Sequence, residues 1–81
     1  MRLDKFLKVS RLIKRRTVAN QVSEQGRIYV NNVIAKPAKQ LKEGDIITII
    51  RADTEIKVKI LHLPSGNVSV QEASNLYEII N

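Results

Sequence analysis

The chain has 81 residues, no cysteine, and a net charge of +6 from 14 Lys and Arg against eight Asp and Glu. This length predicts one small domain with a thin core, and the lack of cysteine excludes disulfides and thiolate metal sites. No apolar run approaches the ~20 residues that span a bilayer, and the charged N-terminus does not resemble a signal peptide. These features predict a cytoplasmic protein.

The positive charge is concentrated at the N-terminus. Residues 1–16 contain seven of the 14 cations and only one of the eight acids, so the rest of the chain is electrically balanced. Cations needed only for solubility would be scattered, whereas a local excess predicts a surface that binds a polyanion.

Two short helices are predicted first, over residues 3–10 and 15–25, with Gly26 as a left-handed cap. The first helix is expected to face the core with Leu3, Phe6, Leu7 and Ser10. Its predicted outer face carries Asp4, Lys5 and Lys8. The second helix is expected to face inward with Val18, Ala19 and Val22, and outward with Arg16, Asn20 and Glu24. Between the helices, Leu12 and Ile13 should anchor a basic turn.

After Gly26 the apolar period changes to two, which predicts strands. Residues 28–30 and the return after Asn31-Asn32 form a predicted hairpin, since Asn tolerates positive φ. Further strands are predicted at 46–50 and 55–63, joined to the hairpin by a loop that Leu41 anchors. The tail reads as a helical turn followed by a short strand. The expected fold is α+β, with two short N-terminal helices on a small, mostly antiparallel sheet.

The start of the second helix breaks a local rule. A helix N-terminus has free N–H groups and a partial positive charge, yet Lys14, Arg15 and Arg16 stand there. Such departures concentrate at functional sites, and a bound phosphate would reverse the unfavourable charge. Arg16 is expected to point to solvent and to be dispensable for folding. Arg51 is expected in a distant turn, where its removal should do little.

A helix-turn-helix DNA-binding module, such as a nucleoid protein, is an alternative, because it also pairs two short helices. In that motif the second helix presents polar residues along the major groove. Here the exposed face beyond Arg16 reads Asn20 and Glu24, which is neutral and then acidic. The pattern therefore favours a nucleic-acid backbone lying across the helix ends, with DNA binding kept as an alternative.

Residues 1–60 resemble the RNA-binding domain first named for the small-subunit ribosomal protein S-four. The resemblance is carried by the following residues: Arg2-Leu3-Asp4, Leu7, Arg16-Thr17, Ala19, Gly26, Ile28, Val30-Asn31 and Gly44-Asp45. Asn32 departs from the glycine that the family often has, although Asn suits the same turn. The resemblance implies an S-four-like domain over 1–63, followed by a C-terminal extension over 64–81 packed on it.

As a stand-alone copy, the chain resembles the bacterial fifteen-kilodalton heat-shock proteins and the related ribosome-associated quality control group RqcP. The second resemblance implies binding to obstructed large ribosomal subunits, with contacts to large-subunit rRNA and P-site peptidyl-tRNA. It also implies cooperation with RqcH, an Rqc2/NEMF-type protein, in alanine tailing of stalled chains. The protein itself should be a monomer off the ribosome. An S-four-type adaptor in ribosome maturation or heat-shock recycling remains the alternative within the fold.

The resemblance assigns RNA-binding roles to ten residues: Arg2, Lys5, Lys8, Arg11, Lys14, Arg15, Arg16, Thr17, Asn20 and Arg27. Asp4 is expected to hold arginine or backbone groups rather than to contact RNA. The aromatic residues do not predict base stacking, since Phe6 lies on the apolar face. His62 has no partner at ligand spacing, and the chain shows no phosphate loop or carboxylate pair. We therefore expect no enzyme activity, no cofactor and no metal.

Overall fold

The computed structural model describes residues 1–52, 54–66 and 68–80. Its elements are α1 (Leu3–Val9), α2 (Arg16–Glu24), β1 (Ile28–Val30), β2 (Val33–Ile34), β3 (Ile46–Arg51), β4 (Thr54–Ile60), α3 (Val70–Ala73) and β5 (Tyr77–Ile79). The five strands form one antiparallel sheet in the order β2-β1-β3-β4-β5. The predicted α+β class is confirmed. Within the described residues, no helix is long and apolar enough to cross a bilayer.

One apolar core joins the two N-terminal helices to one face of the sheet. The sheet contributes alternate residues of its three central strands: Ile28 and Val30, Ile47 and Ile49, Val58 and Ile60. The register places Val30 opposite Ile47, which lies opposite Val58 in turn. The helices contribute most of the residues that the 3.6-residue period indicated, including the fully buried Phe6. Leu12 and the buried Ile13 pack on the same core, as predicted for the basic turn.

The first turn of α1 is held by the loop that follows β2. Leu3 N donates to Lys39 O at 2.9 Å, and Asp4 N donates to Pro37 O at 3.1 Å. These bonds satisfy N–H groups that a helix leaves free at its N-terminus. A seven-residue helix is unstable alone, so this docking and the core contacts explain why α1 forms.

The side chain of Asn31 joins the hairpin turn after β1 to the turn that precedes β3. Asn31 and Asn32 have φ values of 52° and 69°, as expected for a two-residue hairpin turn. The Asn31 side chain accepts from Ile46 N at 3.0 Å and donates to Asp45 Oδ1 at 3.1 Å. The hairpin turn is therefore tied to the turn that contains Gly44, whose φ is 93°. Gly26 also has the predicted positive φ, at 73°.

Two predicted helix faces are wrong in detail. Asp4 was expected to face outward, but it is only 2% exposed. Val18 was expected to face the core, but it is 40% exposed. Helix α2 packs along Ala19 and Ser23, both fully buried. These small side chains let that face of the helix approach the core closely. Val18 lies on a different face of α2 and is therefore exposed.

The C-terminal segment completes the sheet. Ser69 Oγ accepts from Glu72 N and caps α3, and β5 then pairs Tyr77 with Ile60. Leu76, between these elements, is 4% exposed and belongs to the core. The predicted helical turn and short strand are thus both present. The division of the chain after residue 63 into a domain and an extension stays a prediction.

Candidate nucleic-acid interface

The basic turn between α1 and α2 is a defined structure. Arg11 N donates to Lys8 O, and Ile13 N donates to Leu7 O, each at 3.0 Å. Arg11 itself has a φ of 62°, which is uncommon for a residue with a side chain. Because these hydrogen bonds and the buried Ile13 hold the backbone, the cations of the turn are presented from a fixed framework.

Asp4 connects two arginines on one side of this turn. Its Oδ2 atom lies 3.3 Å from Arg2 Nη2 and 3.4 Å from Arg16 Nε, while Oδ1 accepts from Lys5 N. The Asp4 side chain is 3% exposed, and the two arginine side chains are about half exposed. The predicted role of Asp4 as a holder of arginine and backbone groups is confirmed. A buried carboxylate needs such partners, because burying an unpaired charge is costly.

A first concavity opens beside this carboxylate. It is lined by Arg2, Asp4, Arg16, Thr17, Asn20 and Gln21. The free edges of both guanidinium groups are available there, since Arg2 and Arg16 each contact Asp4 through one nitrogen. An arginine that is oriented by a carboxylate on one side can bind phosphate with its remaining N–H groups.

Two further concavities are lined by residues of the basic turn. One is lined by Arg11, Lys14 and Arg15 together with Arg51, Leu12, Ile13 and Val18. The other is lined by Lys8, Arg11 and Lys14 with Val9 and Val68. Arg11 and Lys14 belong to both, so the depressions are contiguous. We call the cations of the three concavities the basic surface: Arg2, Lys8, Arg11, Lys14, Arg15, Arg16 and Arg51.

Eight of the ten predicted RNA-binding residues line these concavities, including Thr17 and Asn20. Lys5 and Arg27 are exposed but line none of them. Lys5 projects from α1, and Arg27 precedes β1, where its backbone bonds to α2 and β3. Contact between RNA and any of the ten remains a prediction.

The start of α2 lacks the capping and acidic side chains that are usual at a helix N-terminus, as its sequence indicated. Arg15 is the N-cap and makes no side-chain capping bond, and the first turn contains no acid. Arg16, in this first turn, pairs instead with the carboxylate of Asp4 from α1. Arg16 was therefore wrongly expected to point freely into solvent. Its Nε atom contacts a buried carboxylate, while the rest of the side chain is half exposed.

Sequence reasoning missed Arg51. As the last residue of β3 it was assigned to a distant turn, but its Nη2 atom lies 3.5 Å from Leu12 O in the basic turn. The structure corrects that assignment, because Arg51 lines the same concavity as Arg11 and Arg15. No local pattern signals this position, since the contact joins residues 39 apart in the chain.

Comparison with known proteins identifies the family to which this sequence is similar. The S4 domain family matches residues 1–47. An RQC P-site tRNA stabilizing factor of Halalkalibacterium halodurans is 53% identical over 79 residues, covering 98% of this chain and 89% of that protein. A protein of the same name from Listeria monocytogenes is 51% identical over 80 residues, with 99% and 86% covered.

A solved structure has the same fold over nearly the whole chain. Heat shock protein 15 of Vibrio cholerae, described as trimeric, superposes with a TM-score of 0.89 at 31% identity. The match covers 99% of this chain and 81% of that one. The two predicted resemblances, to the S-four-type domain and to its narrower stand-alone groups, are thereby confirmed. This chain belongs to the S4 domain family.

Proposed function

We propose that this protein is an RNA-binding factor of ribosome-associated quality control. It binds obstructed large ribosomal subunits that carry peptidyl-tRNA, and it contacts large-subunit rRNA and the P-site tRNA. It acts in the cytoplasm, where it supports the alanine tailing of stalled chains by RqcH. Full-length similarity to proteins named RQC P-site tRNA stabilizing factor supports the choice of this process.

The basic surface is the observation that carries the RNA-binding part of the proposal. Two of its three concavities share Arg11 and Lys14, and among the described residues that line the three, Asp4 is the only acid. That acid is buried and contacts two arginines, so it orients both guanidinium groups while the group of three keeps a net positive charge. A surface of guanidinium and ammonium groups around the α1–α2 turn fits a phosphate backbone that crosses the helix ends.

We also propose that the protein is not an enzyme and that it is a monomer away from the ribosome. The Nδ1 atom of the single histidine, His62, lies 3.3 Å from Glu43 Oε2, and both side chains are more than half exposed. Such a pair is solvated and lacks the buried, oriented geometry expected of acid–base catalysis. Light scattering on the purified protein tests the monomeric state.

Sedimentation with ribosomal particles tests the proposed function. Large subunits that carry peptidyl-tRNA should retain the protein more strongly than empty large subunits. A Lys14→Ala/Arg15→Ala variant should be lost from the particles, because both cations belong to the basic surface. A Lys42→Ala/Lys59→Ala variant is the matched control. It removes the same charge, from a loop and from the sheet face opposite the core.

Two other results would each favour one of the alternative functions. Equal retention on empty and tRNA-carrying subunits would favour an adaptor of ribosome maturation or recycling, a possibility supported by the structural similarity to heat shock protein 15. Equal affinity for RNA and DNA duplexes of the same sequence, without retention on ribosomal particles, would favour the DNA-binding alternative.

A further inference from the structure

Arg51 comes from a different part of the chain than the other cations of the basic surface. It ends β3, where the register places it opposite Thr54, the first residue of β4. The guanidinium reaches the α1–α2 turn, with Nη2 3.5 Å from Leu12 O, near the long limit of a hydrogen bond. The sheet thus contributes one cation to a surface otherwise built by the helices and their turn.

The concavity around Arg51 differs from the one around Asp4. Among the described residues that line it, four are cations, Arg11, Lys14, Arg15 and Arg51, and none is an acid. In residues 1–52, 54–66 and 68–80, the structure gives Arg51 no ion pair with a carboxylate. Four like charges at one depression repel one another, and an anion bound among them removes that repulsion.

Apolar side chains lie beside these cations. Val18 is 40% exposed at this concavity, and Leu12 is half-buried there. An inorganic anion would leave this apolar surface in water, whereas a nucleotide would cover it with its ribose or base. An exposed valine beside these cations therefore fits a nucleotide ligand better than a free anion.

The backbone around this depression is held in place before any ligand binds. Arg11 has a φ of 62° and is fixed by its hydrogen bond to Lys8 O. A left-handed conformation at a residue with a side chain persists only where its surroundings impose it, and such residues cluster at functional sites. The Arg51 contact with Leu12 O links the turn to β3, so the four cations share one framework.

We propose that Arg51 and the basic turn form a second nucleotide-binding site of the RNA-binding surface, separate from the Asp4–Arg16 side. Arg51, Arg11 and Arg15 bind a backbone phosphate, and Val18 contacts the attached ribose or base. This inference rests on the proposed RNA-binding function. It assigns a role in RNA recognition to Arg51, which lies outside the N-terminal cationic segment and outside residues 1–47 matched by the S4 family.

The test compares Arg51→Ala with Lys59→Ala in the full chain. The probe is a fluorescently labelled RNA hairpin, titrated over a range of salt concentrations. Arg51→Ala should weaken binding about tenfold or more, as expected for a lost charge-assisted contact with phosphate. It should also reduce the log–log salt slope by about one, as for any lost phosphate contact. Lys59→Ala should change neither quantity appreciably.

Arg51→Lys separates a ligand contact from a purely structural one. Lys keeps the charge, so it should keep the salt slope of the parent while binding less tightly than Arg. If Arg51 only supported Leu12, the salt slope would be unchanged in Arg51→Ala and the melting temperature would fall instead. That result, or equal behaviour of Arg51→Ala and Lys59→Ala, would overturn the inference.

The Lys14→Ala/Arg15→Ala variant distinguishes this failure from failure of the proposed function. If it loses the hairpin while Arg51→Ala retains it, RNA binding by the basic turn stands and only the role of Arg51 is wrong. If it retains the hairpin as well, and an Arg2→Ala/Arg16→Ala variant does the same, the basic surface does not bind RNA, and the proposed function fails with the inference.

Discussion

Arg16 Nε lies 3.4 Å from Asp4 Oδ2, so the first turn of α2 is joined to α1 by an ion pair whose acid is buried. The same oxygen lies 3.3 Å from Arg2 Nη2, which makes Asp4 the common partner of two arginines. This relationship gives Arg16 two roles. It stabilises the contact between the helices, and it presents its remaining N–H groups at the first concavity.

Arg16→Ala should therefore affect both stability and binding. Loss of the guanidinium leaves Asp4 with Arg2 as its one arginine partner, and we expect the free energy of unfolding to fall by about 1 kcal/mol. RNA binding should weaken by about 1–3 kcal/mol if the group also holds a phosphate. Thermal melting and sedimentation with large subunits measure the two effects. This expectation replaces the neutral effect on folding that the sequence alone suggested.

Lys59→Ala is the control for Arg16→Ala. Lys59 lies between the buried Val58 and Ile60 on β4, so it projects from the sheet face opposite the core. Arg51 does not serve this purpose, because it lies at the basic surface itself. An Arg16→Ala protein that sediments like the parent would contradict the proposed interface.

Asp4→Asn tests whether RNA binding depends on the orientation of Arg2 and Arg16 or only on the net charge of the protein. The substitution raises the net charge above +6 by one unit, which favours binding to any polyanion if charge alone matters. We expect the opposite, namely weaker RNA binding, because a neutral amide holds the Arg2 and Arg16 guanidinium groups less firmly. Filter binding at fixed salt measures the affinity, and parallel melting curves report folding. Tighter binding by a folded Asp4→Asn protein would show that orientation by Asp4 is unimportant.

Salt should weaken RNA binding steeply. If the basic surface neutralises ~4–6 phosphates, the slope of log affinity against log salt concentration should be roughly −3 to −5. The charges lie on exposed side chains at open concavities, so released counterions should dominate the salt dependence. Affinity measured at several salt concentrations gives the slope directly. A slope near zero would remove the electrostatic basis of the interface.

Gly26→Val should destabilise the domain by about 1 kcal/mol or more. Gly26 has a φ of 73°, a conformation that a β-branched residue tolerates poorly. A Cβ atom at this position would meet no atom within 4 Å, so the cost is conformational and not a clash. Gly26→Asn should recover part of the stability, because Asn adopts left-handed conformations more readily.

Gly66→Val is the matched control for Gly26→Val. A Cβ at Gly66 also meets no atom within 4 Å, and Gly66 lies outside the left-handed region of φ. Chemical denaturation of the variants compares their free energies of unfolding. Equal stability of the Gly26→Val and Gly66→Val proteins would mean that the backbone at Gly26 imposes no strain on a side chain.

Local patterns in the sequence were sufficient for the elements and for most of the basic surface. Helical spacing identified α1 and α2, alternation identified β1 and β4, the strand-forming residues of 46–50 identified β3, and Asn31-Asn32 predicted the hairpin turn. These features depend on neighbouring residues and their intrinsic conformational preferences, which any reader of the chain can assess. The N-terminal concentration of cations identified the helix ends as the functional region for the same reason.

The tertiary structure decided the features that depend on distant partners. Asp4 is buried because Arg2 and Arg16 meet its carboxylate, and Arg51 reaches the basic turn because β3 ends beside it. Val18 is exposed because α2 packs along smaller residues. In each case, helical spacing or charge alone allowed two placements of the side chain. The choice between them depended on contacts across the fold, which the local sequence does not specify.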